Sequence, residues 1–256
     1  MSPPCQPFTR GGKFLDDQDP RSSALVHLIK VLKDMKNAPQ FVLLENVLNF
    51  ERSVCRKLLV ETLAAKGYKI EEYLVSPIQP PINIPNNRLR YYLIAKKISD
   101  KPIEFIDRIF HSFHCEEPND LKIEPYLDSI LCEDNEFVVP EKFIKSCPNF
   151  RYDIVTPQSQ YCSTFTKAYG SKHVIGVGSF LQQRNFSNSL DVSNHQQLID
   201  CRVRFFTPNE VARLQGFPAE LTFPDSLSTI QRYKLLGNSL NVKVVSWLIN
   251  RLINDF

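Results

Sequence analysis

The chain has 256 residues, of which 43% are hydrophobic and 23% are charged, which is typical of a globular protein and excludes a disordered or fibrous one. No apolar run reaches the roughly 20 residues of a membrane span, and we expect no signal peptide from the first residues. Seven cysteines without the spacing of a disulfide framework indicate reduced thiols in the cytoplasm or the nucleus. His111, His114 and Cys115 lie close together in sequence, but no CxxC accompanies them, so we expect no metal.

The charge is distributed unevenly along the chain. The formal net charge is +3, yet residues 100–136 carry eleven acidic and three basic side chains, a net charge of −8. The rest of the chain therefore carries +11, which suits a surface that meets phosphates. A basic domain with an acidic insertion and no nucleic-acid partner explains the same pattern.

The first hundred residues predict alternating helices and strands. Apolar spacing predicts a helix over 21–36, a continuous apolar run predicts a buried strand over 41–44, and a helix over 52–66 stops at Gly67. Two strands follow, over 68–75 and 89–95, joined by a proline-rich loop. This order is that of an α/β sheet whose last strand pair is antiparallel.

The remaining residues divide into two parts. Residues 98–160 are acidic and only patchily periodic, which indicates an insertion or a smaller domain. Thr207 to Glu210 forms a capping box with proline at the first helical position, so a helix should run to Gln215. A last helix is expected over 241–253, with Val242, Val245, Leu248 and Leu252 on its buried face.

A cysteine among prolines is the first candidate for chemistry. Cys5 lies within PPCQPF at residues 3–8. The prolines fix the backbone and hold the thiol on a loop, and a nucleophilic cysteine must be partly exposed as its thiolate. An ordinary cysteine near the start of the chain is the alternative, and this motif alone does not decide between the two.

Charged side chains next to two predicted strands are the second candidates. Glu45 follows the strand over 41–44, at the carboxyl edge where α/β proteins place their active sites. Arg88 and Arg90 lie at the entrance to the strand over 89–95, and alternation places them on one side as a pair for an anion or a base edge. Charged residues that simply end strands in solvent would look the same.

Taken together and in order, these motifs resemble those of the cytosine-5 methyltransferases of DNA and RNA. The matching segments are PCQ (4–6), ENV (45–47), RLR (88–90), RFFTPNE (204–210), LQGFP (214–218) and LGNSL (236–240). The chain looks most like the DNA-methyltransferase homologues that methylate aspartate tRNA, on SPPCQPFTR (2–10), LLENV (43–47), FTKAYGS (165–171) and the block to Val245. That family usually has Cys-Phe-Thr where this chain has Thr164-Phe165-Thr166, with Cys162 nearby.

The resemblance implies a reaction and four catalytic residues. Cys5 would add to C6 of cytosine, and Glu45 would donate to or hydrogen-bond N3. Arg88 and Arg90 would hold the cytosine O2 and a nearby phosphate. The expected function is methyl transfer to C5 of a cytosine in the anticodon loop of aspartate tRNA, with DNA as the alternative substrate. A non-catalytic RNA-binding fragment is the alternative from another class.

The resemblance also implies S-adenosylmethionine as cofactor, with Pro4, Asn238 and Ser239 beside it. The expected fold is α/β, a Rossmann-like S-adenosylmethionine-dependent methyltransferase fold lacking its first strands, with a smaller target-recognition insertion. The expected domains are a catalytic part (1–97), a target-recognition region (98–202) and a C-terminal return to the methyltransferase domain (203–256).

A glycine-rich turn and a ribose-binding carboxylate, which such a cofactor needs, are not recognisable in this sequence. The GxG at residues 176–178 lacks a third glycine and a clear following helix, and its place belongs to the target-recognition region of the resembling family. We therefore expect a raw sheet edge, exposed apolar surface, low stability of the chain alone and weak cofactor binding. A cooperative melting transition at high temperature, or micromolar binding by calorimetry, would contradict these expectations.

Overall fold

The computed structural model describes residues 1–8, 16–113, 120–128, 136–146, 153–170, 177–187 and 189–254. The chain separates into two compact units. Unit 1 comprises residues 1–76, 89–116 and 246–256, and unit 2 comprises residues 77–88 and 117–245. These units are defined by compactness, so the functional boundaries at 97/98 and 202/203 stay a prediction.

The described residues form a mixture of helices and mostly short strands. The α-helices are α1 (Ser23–Asp34), α2 (Val54–Ala65), α3 (Glu141–Ser146), α4 (His195–Asp200), α5 (Pro208–Leu214), α6 (Thr229–Gly237) and α7 (Val242–Asn254). The strands are β1 (Phe41–Val47), β2 (Tyr68–Val75), β3 (Asn86–Asn87), β4 (Arg90–Lys97), β5 (Ile109–Phe110), β6 (Ile154–Val155), β7 (Cys162–Ser163), β8 (Phe180–Leu181) and β9 (Arg204–Phe205).

Unit 1 is built on a four-stranded sheet in the order β1-β4-β2-β5. β4 pairs antiparallel with both β1 and β2, and β5 runs parallel to β2. The predicted antiparallel pair is therefore confirmed. The helices α1 and α2 contribute Leu25, Ile29, Leu59 and Leu63 to the apolar core that also contains Leu44 of β1.

β1 is an edge strand of this sheet within the described residues. The first residue covers part of that edge: the Met1 amino group donates to the Leu43 carbonyl at 2.5 Å, and the Glu45 amide donates to the Met1 carbonyl at 3.0 Å. Beside it lies an apolar groove of about 450 Å³ between α1 and β1, with Leu28, Met35 and Phe41 exposed along it. Exposed apolar side chains therefore lie beside this edge strand.

In its described residues, unit 2 combines two small sheets with an aromatic cluster. Its strands form a three-stranded sheet, β6-β8-β9, and a two-stranded one, β3-β7. The Tyr169 ring packs against Phe165, Phe205 and Tyr233 at centroid distances of 4.9, 5.3 and 5.1 Å. Its hydroxyl donates to the Ser179 carbonyl at 2.6 Å and accepts the Phe206 amide, so its polar end is satisfied inside the core.

A buried ion pair fixes the start of α5. Glu210 accepts two hydrogen bonds from Arg204, at 2.7 and 2.8 Å, and a third from the Thr207 amide at 2.8 Å. The Thr207 hydroxyl accepts the Glu210 amide in return, which confirms the predicted capping box. Asp128 lies in the acidic stretch 100–136, and its backbone amide donates a hydrogen bond to Glu210 at 3.0 Å. This part of the stretch therefore has a structural role.

The secondary-structure predictions hold for α1, α2, β2 and β4, with shifts of at most two residues at the ends. Gly67 adopts the left-handed φ of +79° expected after α2. The predicted face of α7 needs a correction, because Val244 is buried with Leu248 and Leu252, whereas Val242 and Val245 are only half-buried. None of the helices in the described part of the chain is long and apolar enough to cross a membrane.

Candidate active site

Glu45 lies inside β1, not after its end as the sequence predicted. The strand continues to Val47, and Glu45 pairs with Tyr92 of β4. The ladder persists because β4 begins at Arg90, opposite Val47, and supplies partners for these polar residues. The consequence is a carboxylate on a rigid strand, only 8% exposed.

Both oxygens of the Glu45 carboxylate have a neighbour from unit 1. The Ser2 hydroxyl donates to Oε2 at 2.8 Å, and Nε of Arg90 lies 3.7 Å from Oε1. The Arg90 guanidinium also donates to the Leu89 carbonyl at 2.8 Å, which limits how far it can turn. The structure thus brings together Glu45 and Arg90, and it joins Glu45 to the segment that carries Cys5.

Cys5 lies in a turn that is anchored on both sides. Its carbonyl accepts the Phe8 amide at 3.0 Å, and Phe8 is buried edge-on against Phe50 at 4.9 Å. On the other side, Asn46 donates to the Pro3 carbonyl at 3.4 Å. Cys5 itself is half-buried, which agrees with the prediction of a partly exposed thiol on a loop.

Arg88 belongs to unit 2, where its guanidinium donates to backbone carbonyls of Ser239 and Phe165. The argument that alternation pairs it with Arg90 is wrong, because β4 begins at Arg90 and Arg88 lies outside the strand. Its proposed contact with substrate stays a prediction. To make that contact, the buried guanidinium would have to become accessible.

The residues predicted beside the cofactor belong to different units, Pro4 to unit 1 and Asn238 and Ser239 to unit 2. Asn238 and Ser239 follow α6, with their amides donating to the Lys234 and Leu236 carbonyls, and Ser239 also accepts from Arg88. Pro4 is exposed in unit 1, next to Cys5. The cofactor role of these residues stays a prediction.

Comparison with known proteins identifies the family. The model of the C-5 cytosine-specific DNA methylases matches residues 1–254. The chain belongs to this family. A DNA (cytosine-5)-methyltransferase of Dictyostelium discoideum is 36% identical over 99% of this chain and 76% of its own length, and a tRNA (cytosine(38)-C(5))-methyltransferase of Schizosaccharomyces pombe is 38% identical over 99% and 76%. The solved structure of an Entamoeba histolytica methyltransferase superposes with a TM-score of 0.81 at 31% identity, covering 100% of this chain and 76% of that one.

The methylase family assignment confirms the resemblance seen in the sequence motifs and the α/β methyltransferase fold. The methylase relatives include proteins named for DNA and for tRNA, so the family alone does not choose the substrate.

Cys162 does not replace the cysteine that this chain lacks at residue 164. The Cys162 thiol is fully buried, donates to the Pro85 carbonyl at 3.2 Å and accepts from Asn86 at 3.4 Å. Burial raises the pKa of the Cys162 thiol to about 12, so it stays protonated and inert near neutral pH. Thr164 instead donates its hydroxyl to the Asn87 carbonyl at 2.8 Å.

The glycines of the described residues do not form an open cradle for a cofactor. At each of them, atoms of the protein's own chain lie within 3 Å of where a Cβ would stand: Gly67, Gly170, Gly178, Gly216 and Gly237. Gly178 of the GxG packs against the Phe165 and Tyr169 rings, which supports a packing role. Gly176 and the predicted strand before it lie outside the described residues. Weak cofactor binding stays a prediction.

Metal binding gains no support from the described residues, which contain no group of three or more potential ligands. His114 and Cys115 lie outside them. The site residue that sequence reasoning missed is Ser2, whose hydroxyl reaches Glu45 across 43 positions of the sequence. The hydrogen bonds of Met1 with β1 bring the side chains of Ser2 and Glu45 together, and no sequence pattern predicted those bonds.

Proposed function

We propose that the chain transfers a methyl group to C5 of a cytosine in the anticodon loop of aspartate tRNA, through a covalent adduct of Cys5 with C6. The observation that carries the proposal is the Glu45 carboxylate, held by Ser2 and Arg90 in the same unit as a half-buried Cys5. The protein would act in the cytoplasm or the nucleus, and that location is part of the proposal.

The chemistry follows from the aromaticity of cytosine, which makes C5 a poor nucleophile. When the Cys5 thiolate forms a bond to C6, the electrons of the C5–C6 double bond become available at C5 and toward N3. Glu45 would donate a proton or a hydrogen bond to N3 and so stabilise this charge. S-adenosylmethionine would supply the electrophilic methyl group. Loss of the C5 proton and departure of the thiolate then restore the aromatic ring and the free thiol.

Arg90 contributes in two ways. Its guanidinium neutralises the Glu45 carboxylate on one side, at 3.7 Å, and leaves part of its donor set for the cytosine O2 or a phosphate. Arg88, which is only 4% exposed, would fill the second of these roles only after becoming accessible to the substrate. The two arginines are therefore expected to differ strongly in accessibility, although the sequence motif treats them alike.

The choice of tRNA rests on similarity and on the cost of exposing the base. Relatives from Schizosaccharomyces pombe and Homo sapiens are named tRNA (cytosine(38)-C(5))-methyltransferases, at 38% and 34% identity, which supports cytosine 38 as the target. A base in an anticodon loop leaves its stack more easily than one in a duplex. DNA is the second candidate, since the Dictyostelium relative named for DNA is 36% identical.

Binding of the methyl donor is expected to limit the activity of this chain. The described glycines are closed by packing, and we expect weak binding of S-adenosylmethionine. Methyl transfer should therefore be measured at a donor concentration well above the micromolar range. A complete lack of transfer under those conditions would favour the non-catalytic RNA-binding fragment.

The test is transfer of label from S-adenosylmethionine to an aspartate tRNA transcript, with the same transcript carrying uridine at position 38 as the substrate control. We expect transfer by the parent, no transfer by Cys5→Ala, and retained transfer by Cys162→Ala, because Cys162 is buried and inert. Label in the uridine transcript would contradict cytosine 38. Preferred labelling of duplex DNA would move the substrate to the second candidate.

A further inference from the structure

The side chain next to Cys5 is held by an arginine fifteen residues away. Nη1 of Arg21 donates to Oε1 of Gln6 at 2.7 Å. Gln6 begins the one-turn helix Gln6–Phe8, which is closed by the hydrogen bond from the Phe8 amide to the Cys5 carbonyl. A restraint on Gln6 is therefore also a restraint on the peptide that positions the Cys5 thiol.

Arg21 is itself oriented by a buried carboxylate. Asp19 is only 3% exposed, and its two oxygens accept from Nε and Nη2 of Arg21 at 2.8 and 2.6 Å, while the Arg21 amide donates to Oδ1 at 2.9 Å. This two-pronged geometry leaves Nη1 pointing in one fixed direction, which a lysine ammonium could not reproduce. An exposed ion pair would not need a buried partner.

The segment that carries Asp19 and Arg21 is fastened to the core of unit 1. The Asp16 carboxylate accepts the Val54 and Cys55 amides at 2.6 and 3.3 Å, at the N-terminus of α2. The Asp16 carbonyl accepts the Ser22 hydroxyl at 2.6 Å. Residues 16–22 thus form a fixed base from which Arg21 reaches Gln6.

From these contacts we infer that Arg21, oriented by Asp19, is a positioning residue for Cys5 that acts through the side chain of Gln6. The inference rests on the proposed function of Cys5 as the nucleophile. Among the described residues, the turn is restrained by Asn46 at Pro3, by Asn49 at the Phe8 carbonyl, by Phe8 in the core and by Arg21 at Gln6. Arg21 touches the residue adjacent to the thiol.

The first test measures the rate at which iodoacetamide alkylates Cys5, followed by mass spectrometry of the peptide that contains it. Arg21→Ala and Gln6→Met each remove the hydrogen bond, and we expect each to raise the rate by about two- to tenfold, the range of an ordinary hydrogen bond. The double variant should be no faster than either single one, because both remove the same contact. Gln6→Glu keeps an acceptor oxygen and should keep the parent rate.

The control is Arg52→Ala, which removes an 84% exposed guanidinium from the same unit and should leave the rate unchanged. Unchanged rates in both Arg21→Ala and Gln6→Met would overturn the inference, as would additive effects in the double variant. Arg21→Lys guards against misfolding, since it keeps the charge but loses the two-pronged geometry, and it should behave like Arg21→Ala.

Methyl transfer supplies the second readout. Arg21→Lys should lower kcat by about ten- to a hundredfold with little change in KM for the tRNA, as expected for a misplaced nucleophile. A raised KM with an unchanged kcat would make Arg21 a phosphate contact and overturn the inference. If the parent chain transfers no methyl group, the proposed function fails while the alkylation rates still decide whether Arg21 restrains the turn.

Discussion

Two carboxylates, one in each unit, are surrounded by the same kinds of groups but with different geometry. Glu45 in unit 1 and Glu210 in unit 2 each have an arginine and a serine or threonine beside them. Glu210 is 0% exposed and receives both prongs of Arg204 at 2.7 and 2.8 Å, whereas Arg90 stays 3.7 Å from Glu45. Full satisfaction marks a structural carboxylate, whereas a loosely held one keeps an oxygen available for contact with a base.

Removing the charge of Glu210 should have the largest effect on stability. Glu210→Gln leaves the Arg204 guanidinium buried with half of its partners, which costs about 3–5 kcal/mol of unfolding free energy. Urea unfolding followed by circular dichroism measures the loss. Glu141→Gln is the matched control, because its pair with Lys145 is exposed and should contribute about 0–1 kcal/mol. A change below about 1 kcal/mol in Glu210→Gln would remove the contrast between the two carboxylates.

The second variant, Glu45→Gln, should reduce activity strongly and stability little, the reverse of Glu210→Gln. Glu45→Gln should lower kcat for methyl transfer by about a hundred- to a thousandfold, the range for a lost electrostatic contact in a transition state. Its unfolding free energy should change far less than that of Glu210→Gln, because Arg90 keeps a carbonyl partner. The control is Glu61→Gln on the exposed face of α2, which should match the parent in both measurements. Parent-like kcat in Glu45→Gln would exclude Glu45 from the chemistry.

The sequence predicted those features of the molecule that depend on local signals, and it missed those that depend on distant partners. Helical spacing predicted α1 and α2, and the capping box at Thr207 predicted the start of α5, because these signals are local. The end of β1 was misplaced because Glu45 and Asn46 look like a strand terminus until β4 supplies their partners. Strand alternation was extended back to Arg88, but β4 begins two residues later, at Arg90. The Ser2 and Arg21 contacts depend on long-range pairing that no local pattern encodes.

The smallest effect concerns a third carboxylate, Glu71 of β2, which lies between these two extremes. Burial by itself would raise the pKa of Glu71, but hydrogen bonds from Arg251 and Tyr73 outweigh it and hold that pKa below its ordinary value. Because the folded pKa is lowered, the stabilisation is present above the unfolded value of about 4.3 and is lost as the pH falls through the folded pKa.

Glu71→Gln should therefore destabilise the protein at pH 7 by about 1–3 kcal/mol, the range for a hydrogen bond to a charged group. The difference from the parent should shrink as the pH falls below about 4, where the parent carboxylate also becomes neutral. Unfolding by urea at a series of pH values measures both effects, with Glu61→Gln as the exposed control. A difference that stays constant from pH 7 to about 3 would show that packing of the side chain, and not its charge, gives Glu71 its role.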